Sequence, residues 1–237
     1  MKKENIKLAI SLLLACAIPM IAQAVFGKSP YIASAGMYYV FWGLINFLFL
    51  STLIDLSGNY KKLFKLKKLN IKKSTFIGNI VVYLFFLVFI NLYFLQQMYI
   101  RDNAFLNKIT SINVLIVILI LFIINLYCGQ FPETDDADNT RIYSLNKKTR
   151  FKYGKEKFGH VIGSYDEGIT IGFMPFAYEN IKSVYLDSKN DALVIKGKDA
   201  EGNFRISISA PKSKAAAKEI LHNAVKDKKL QNGKFNV

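Results

Sequence analysis

Four apolar runs of about 20 residues each constrain this chain more than any other feature: Leu8 to Phe26, Met37 to Leu56, Phe76 to Met98 and Ile109 to Cys128. A hydrocarbon core of roughly 30 Å needs about 20 helical residues at 1.5 Å per residue. Backbone in lipid must also satisfy its own hydrogen bonds, which a helix does. Residues 1–128 are therefore expected to form a membrane all-α bundle of four transmembrane helices. Hydrophobic residues make up 52% of the 237 and are concentrated before residue 130. The two halves of the chain call for different solvents.

The connections give these spans a direction. Lys61, Lys62, Lys65, Lys67, Lys68, Lys72 and Lys73 lie between spans two and three, whereas the first connection holds Lys28 and the third Arg101 and Lys108. Cytoplasmic loops carry the excess of lysine and arginine. The lysine loop is thus expected on the cytoplasmic side, with the N-terminus (Lys2, Lys3, Lys7) and everything after Cys128. The first span has a second reading: its basic start, apolar run, Pro19 and Ala22-Gln23-Ala24 resemble a secretory signal peptide cleaved before Val25. A lipobox around Cys16 is disfavoured because apolar residues continue beyond it.

Asn46, Asn79, Asn91, Asn113 and Asn125 fall inside the apolar runs. A carboxamide in lipid is costly unless it meets a partner across a helix interface. A hairpin of spans three and four about residue 102 puts Asn79 level with Asn125 and Asn91 with Asn113. At about 100° per residue both pairs cannot face squarely. At least one pair, or a partner from another span such as Asn46, is expected to bond as packing glue. No Glu, Lys, Arg or His lies deep in a span, and Asp55 sits at an end. Ion-coupled carriers usually keep such a group in the membrane, so active transport is disfavoured.

The lysine loop, YKKLFKLKKLNIKK from Tyr60 to Lys73, interleaves lysines with Leu63, Phe64, Leu66, Leu69 and Ile71 without a clean amphipathic face. Its seven lysines are candidates for anionic lipid headgroups, at up to about 1 kcal/mol each near the surface; orientation alone is the plainer role. Residues 129–139, with ETDDAD at 133–138, are expected to form an acidic linker that could meet this loop. Its carboxylates lack the second set that a divalent-metal enzyme of the DDxD kind requires. The net charge of +15 rests on 28 Lys and 4 Arg, and the scarcity of arginine forks argues against nucleic acid. Cys16 and Cys128 offer neither a disulfide framework nor a CxxC site, and buried free thiols are expected.

From residue 140 the pattern changes to short strand-like stretches: Arg141 to Leu145, Arg150 to Tyr153, Phe158 to Gly163, Gly168 to Phe173, Asn180 to Asp187, Ala192 to Lys196 and Asn203 to Ser209. Pro211 then opens an Ala-, Glu- and Lys-rich amphipathic segment suited to one helix. Residues 140–237 are expected to be a soluble α+β domain of antiparallel strands with one C-terminal helix. Asp166-Glu167-Gly168-Ile169, the stretch Phe176-Ala177-Tyr178-Glu179-Asn180-Ile181-Lys182-Ser183-Val184 and the strand Asp191 to Lys196 resemble the bacterial pleckstrin-homology-like (PH-like) domains that follow transmembrane hairpins in small bacterial membrane proteins. That resemblance, over residues 140–230, implies a non-catalytic scaffold for lipid headgroups or peptides.

His160 and His222 read as structural or surface residues, and no GxSxG, HExxH or phosphate-binding glycine loop occurs. No enzyme, cofactor or metal is expected. The expected function is a non-catalytic adaptor or regulatory protein of the bacterial cell membrane, its PH-like domain binding a protein partner or anionic lipid at the cytoplasmic face. A membrane immunity or self-protection protein against a membrane-active toxin, and a transport or assembly subunit, are the alternatives.

Overall fold

The computed structural model describes residues 3–26, 35–126, 133–137, 139–145 and 162–237. It divides into two units, Met1–Asn59 with Ile77–Asn125, and Tyr60–Phe76 with Leu126–Val237. The division assigns the lysine loop to the unit that holds the C-terminal sheets.

The helices of the first half are α1 (Lys3–Phe26), α2 (Ala35–Phe64), α3 (Lys73–Met98), α4 (Ala104–Ile109) and α5 (Ile112–Leu126). The first three are long and apolar enough to cross a membrane. At 30 residues, α2 is about 45 Å long and continues past Leu56 through the first lysines. Of the fourth run, α5 covers 15 residues among those described, or about 22 Å, and Cys128 lies outside them. Its start is displaced because Asn103 caps α4, its side chain accepting from the Leu106 N–H at 3.0 Å. That extra helical turn occupies residues up to Ile109.

Within the first unit the core is aromatic. Trp42 and Met98 are fully buried and pack with Ala22, Phe94 and Tyr99. Trp42 stacks on Phe94 at 5.5 Å, and Phe49 stacks on Phe86 at 4.8 Å. Phe122 of α5 meets Tyr83 at 5.2 Å and Phe86 at 5.5 Å, so α5 packs against α3. Ala22, one of the two alanines of the small-x-small triplet, is a helix-packing contact, and Phe26 stacks on Tyr99 at 5.6 Å. Lys7 closes an ion pair with Asp55 at 2.6 Å. Cys16 is exposed on α1, contrary to the expected buried thiol, because Ala15 and Pro19 form the inward face of that helix.

The asparagines pair across a different interface from the α3–α5 hairpin. Asn91 of α3 bonds Asn46 of α2: Asn46 Nδ2 donates to Asn91 Oδ1 at 3.1 Å and Asn91 Nδ2 donates to Asn46 Oδ1 at 2.8 Å. Trp42 Nε1 donates to Asn91 Oδ1 at 2.7 Å, and Asn91 Nδ2 also reaches the Leu87 carbonyl at 2.7 Å. Asn113 is exposed, so the Asn91–Asn113 pair does not form. Asn79 is fully buried, and the side chain of Asn125 lies outside the described residues.

The second unit contains two sheets and a helix, α6 (Pro211–Lys226). The six-stranded sheet runs β1 (Glu133–Ala137), β2 (Thr140–Leu145), β8 (Gly202–Ile208), β7 (Ala192–Asp199), β6 (Ile181–Asp187) and β9 (Phe235–Asn236). The three-stranded sheet is β3 (Ile162–Tyr165), β4 (Gly168–Ile171) and β5 (Met174–Ala177). The expected linker over 129–139 is corrected: residues 133–137 are β1, antiparallel to β2. Alternating Asp, Thr and Glu is tolerated there because the strand is an edge and its residues 135–137 are exposed, a common way to blunt an edge. The purely antiparallel expectation is also corrected. β2 pairs parallel to β8 and β9 parallel to β6, since each pair is joined by a long crossover that can return the chain in the same direction.

The core between sheets and helix is apolar and closed. Leu193, Val194, Ile195, Ile206, Ile208, Ala217 and Leu221 are fully buried. Alternation on β8 puts Phe204, Ile206 and Ile208 inward. Pro211 opens α6 at a position where its missing N–H costs nothing. Arg150 to Tyr153, and Phe158 to residue 161, lie outside the described residues, as does His160.

Candidate functional site: the docked lysine loop

The lysine loop is folded onto the C-terminal sheets. α2 carries it as far as Phe64, a turn follows in which Lys68 adopts φ 53°, and α3 begins at Lys73. Between them Asn70 lies antiparallel to Ser164 of β3. The Asn70 N–H donates to the Ser164 carbonyl at 2.8 Å, and the Ser164 N–H returns a bond to the Asn70 carbonyl at 3.1 Å. One loop residue therefore acts as a fourth strand beside β3–β4–β5.

Three further contacts hold the loop. The Asp166 N–H donates to the Lys67 carbonyl at 2.9 Å. The Asp166 carboxylate accepts from Lys229 Nζ at 2.8 Å and from Lys68 Nζ at 3.5 Å. Tyr60, Phe64 and Phe76 form an aromatic cluster, with Tyr60 and Phe76 edge to face at 5.0 Å and Phe173, in the β4–β5 turn, 6.4 Å from Tyr60. Leu63 and Phe76 are buried in it.

Gly163 makes this approach possible. A Cβ at that position would lie 2.7 Å from Thr170 Oγ1, 2.8 Å from the Asn70 carbonyl oxygen and 3.0 Å from Ile71 Cβ. Only a residue without a side chain lets the loop backbone come this close.

This arrangement separates the loop's two residue types. Leu63, Phe64, Leu66, Leu69 and Ile71 are buried or half-buried, while Lys61, Lys62, Lys65, Lys67, Lys68, Lys72 and Lys73 are all exposed. Among the described residues the carboxylate that meets the loop is Asp166, whereas Asp135 and Asp136 of the former linker stand on β1. They alternate to opposite faces of that strand and cannot converge on one ion. Among the described residues no group of three or more His, Cys, Asp or Glu is placed to hold a metal.

A cavity of about 600 Å³ opens beside the junction, walled by Asn70 and Lys72 from the loop, Tyr165 from β3, Tyr178, and Asn223 and Asp227 from the α6 end. That volume suits a small ligand or a peptide side chain. Burial raises the Tyr165 hydroxyl and pushes Tyr178 up to about 12, so both are neutral hydrogen-bonding hydroxyls near pH 7. His222 is exposed on α6, 6.3 Å from the Phe235 ring.

The hydrogen bond from Lys229, with the charges of Lys229 and Lys68, holds the Asp166 carboxyl below the usual carboxylate range. A group whose folded pKa is depressed contributes above its unfolded pKa and loses that contribution as pH falls through the folded value. Lys229 holds Asp166 whether or not the loop is docked, so docking is coupled to this carboxyl through Lys68 alone; it should be insensitive to pH from neutrality down to roughly pH 4, the ordinary aspartate value, and loosen only slightly below it. Hydrogen exchange at the Asn70 amide across that range reads it directly; loosening between pH 7 and 5 would contradict the assignment to Asp166.

Comparison of this chain with protein-family models, with curated proteins and with solved structures finds no match.

Proposed function

We propose that this protein is a non-catalytic, membrane-anchored adaptor whose C-terminal PH-like domain is held at the cytoplasmic face of the bacterial cell membrane, where it binds anionic lipid or a protein partner. The observation that carries this reading is the antiparallel Asn70–Ser164 pair within a loop whose seven lysines all face outward. That loop joins two apolar helices, so whatever is bonded to it stays at the membrane surface. The outward ammonium groups other than that of Lys68, which meets Asp166, are then available to anionic headgroups at up to about 1 kcal/mol each, less with salt.

The same pair supports a fourth crossing. Loop and domain lie on one side, so the chain between Lys73 and Thr140 must cross the bilayer an even number of times. α3 supplies one crossing and the apolar run through α5 to Cys128 the other. The lysine excess supports the cytoplasmic side for both, and the packing of Ala22 and Phe26 supports retention of α1 as a helix of the mature protein.

Two measurements test this. Single cysteines at Lys72 and Asn190, in a Cys16→Ser, Cys128→Ser background, should both react with an impermeant thiol reagent from the cytoplasmic side only; labelling from opposite sides would overturn the topology. A photo-crosslinking amino acid at Lys72 should yield a defined adduct with an anionic lipid or with one protein in native membranes. Diffuse labelling with no such adduct would remove the adaptor reading.

A further inference from the structure

Away from the loop, the outer face of the six-stranded sheet carries a second concavity, of about 430 Å³. It is lined by Lys182 of β6, Lys196 of β7 and Arg205 of β8, with Thr140 and Ile142 of β2 and Asn203 of β8. Every charged residue lining it, among those described, is basic. Lys196 and Arg205 are direct cross-strand partners, and Arg205 faces Ile142 on the next strand. Strands lie about 4.8 Å apart, so two cations are held side by side. The ladder between β6 and β7 shifts register between Ile181 and Ser183. That bulge leaves Lys182 as the extra residue beside Lys196, and bulges commonly re-aim a side chain toward a site.

Like charges directly opposite on a sheet destabilise it, and elsewhere this domain avoids the cost. Arg141 bonds both Asp199 and Glu201. Lys214 is paired with Asp191 at 2.6 Å and Lys229 with Asp166 at 2.8 Å. Among the described residues Lys182, Lys196 and Arg205 have no carboxylate at ion-pair distance; Lys196 lies 5.3 Å from the Tyr185 ring, and the charge of Arg205 acts on the Asp187 carboxylate without closing an ion pair. Asp135 stands on the same row but a strand beyond Ile142, at the sheet's edge.

We propose that this concavity binds a phosphate group, carried by a small phosphate ester or by a lipid headgroup. Arg205 supplies a planar fork for two phosphate oxygens, Lys196 and Lys182 supply point charges, and Thr140 and Asn203 supply neutral donors. The site is separate from the lysine loop and does not depend on the loop reaching lipid.

The test uses full-length protein in nanodiscs. In phosphatidylcholine discs, calorimetric titration with inorganic phosphate should show saturable binding. Lys196→Gln with Arg205→Gln should weaken it by about tenfold or more, as expected for loss of charge-assisted bonds. Lys218→Gln, exposed on α6, should leave it unchanged. If the double variant does not fold, Lys182→Gln, on the bulge, should still weaken binding. Repeating the titration in discs containing phosphatidic acid separates the sources: loss of phosphate binding marks a headgroup as the occupant, and retention marks a soluble ester. Absence of saturable phosphate binding in phosphatidylcholine discs, or binding that the variants at Lys182, Lys196 and Arg205 leave unchanged, overturns the proposal.

Discussion

Replacing Asn91 by Leu should cost about 2–3 kcal/mol of stability in detergent, far more than an asparagine-to-leucine change on an exposed helix face. Both amide hydrogens and the carbonyl oxygen of Asn91 are engaged, with Trp42, Asn46 and Leu87. A single hydrogen bond between membrane helices averages about 0.6 kcal/mol and reaches about 1.7. Removing Asn91 also strands the fully buried Asn46 amide and the Trp42 indole N–H, and an unpaired buried polar group costs about 1–3 kcal/mol. Asn46→Leu should be similarly damaging, and the double variant should be at least about 1 kcal/mol better than the sum of the singles, because the apolar pair strands fewer groups. Asn113→Leu should fall within about 0.5 kcal/mol of wild type. Unfolding by sodium dodecyl sulfate titration provides the comparison. Additive losses at 46 and 91 would remove the pairing.

The second large effect is expected at Gly163. Gly163→Val would press branched carbons into Thr170 Oγ1, the Asn70 carbonyl and Ile71. Overpacking of this kind costs about 1–3 kcal/mol, and the loop is the partner free to leave. Its departure should raise hydrogen exchange at the Asn70 and Ser164 amides by about 10- to 100-fold, while exchange on β7 and β8 stays slow. Ser164→Pro is the companion change. The N–H and carbonyl of Ser164 both face Asn70 and not β4, so proline deletes a loop bond and leaves the β3–β4 ladder in place. Unchanged protection at Asn70 in both variants would mean that the loop is held by its aromatic cluster alone.

What could be read from the residues divides along physical lines. The long helices were legible because twenty apolar residues in a row have few other uses, and α6 because Pro211 and an alanine-rich stripe mark its start and inner face. β6 and β8 were legible from their alternation, IKSVYLD and FRISI. β1 was hidden because ETDDA has low strand propensity and is extended only through its pairing with β2. β5 was hidden because it is four residues long and contains Pro175. The parallel pairings depend on crossovers that leave no local trace. The asparagine partners turned on helix rotation, which depth along a hairpin does not determine. For the docked loop the available signal was Gly163, a glycine inside a strand pattern, which marks a close backbone approach as readily as a turn.

The acidic edge strand has a consequence for crowding. In the proposed topology every copy of the protein is confined to two dimensions, so copies meet far more often than soluble ones would. An open strand edge then invites copies to zip together. β1 ends the larger sheet with Asp135 and Asp136 exposed, and two such edges repel each other before their backbones can pair. On the smaller sheet the chain's own Asn70 already occupies the β3 edge. At these two edges, β1 and β3, pairing with a second copy is thus opposed by charge in the one case and pre-empted by the chain itself in the other.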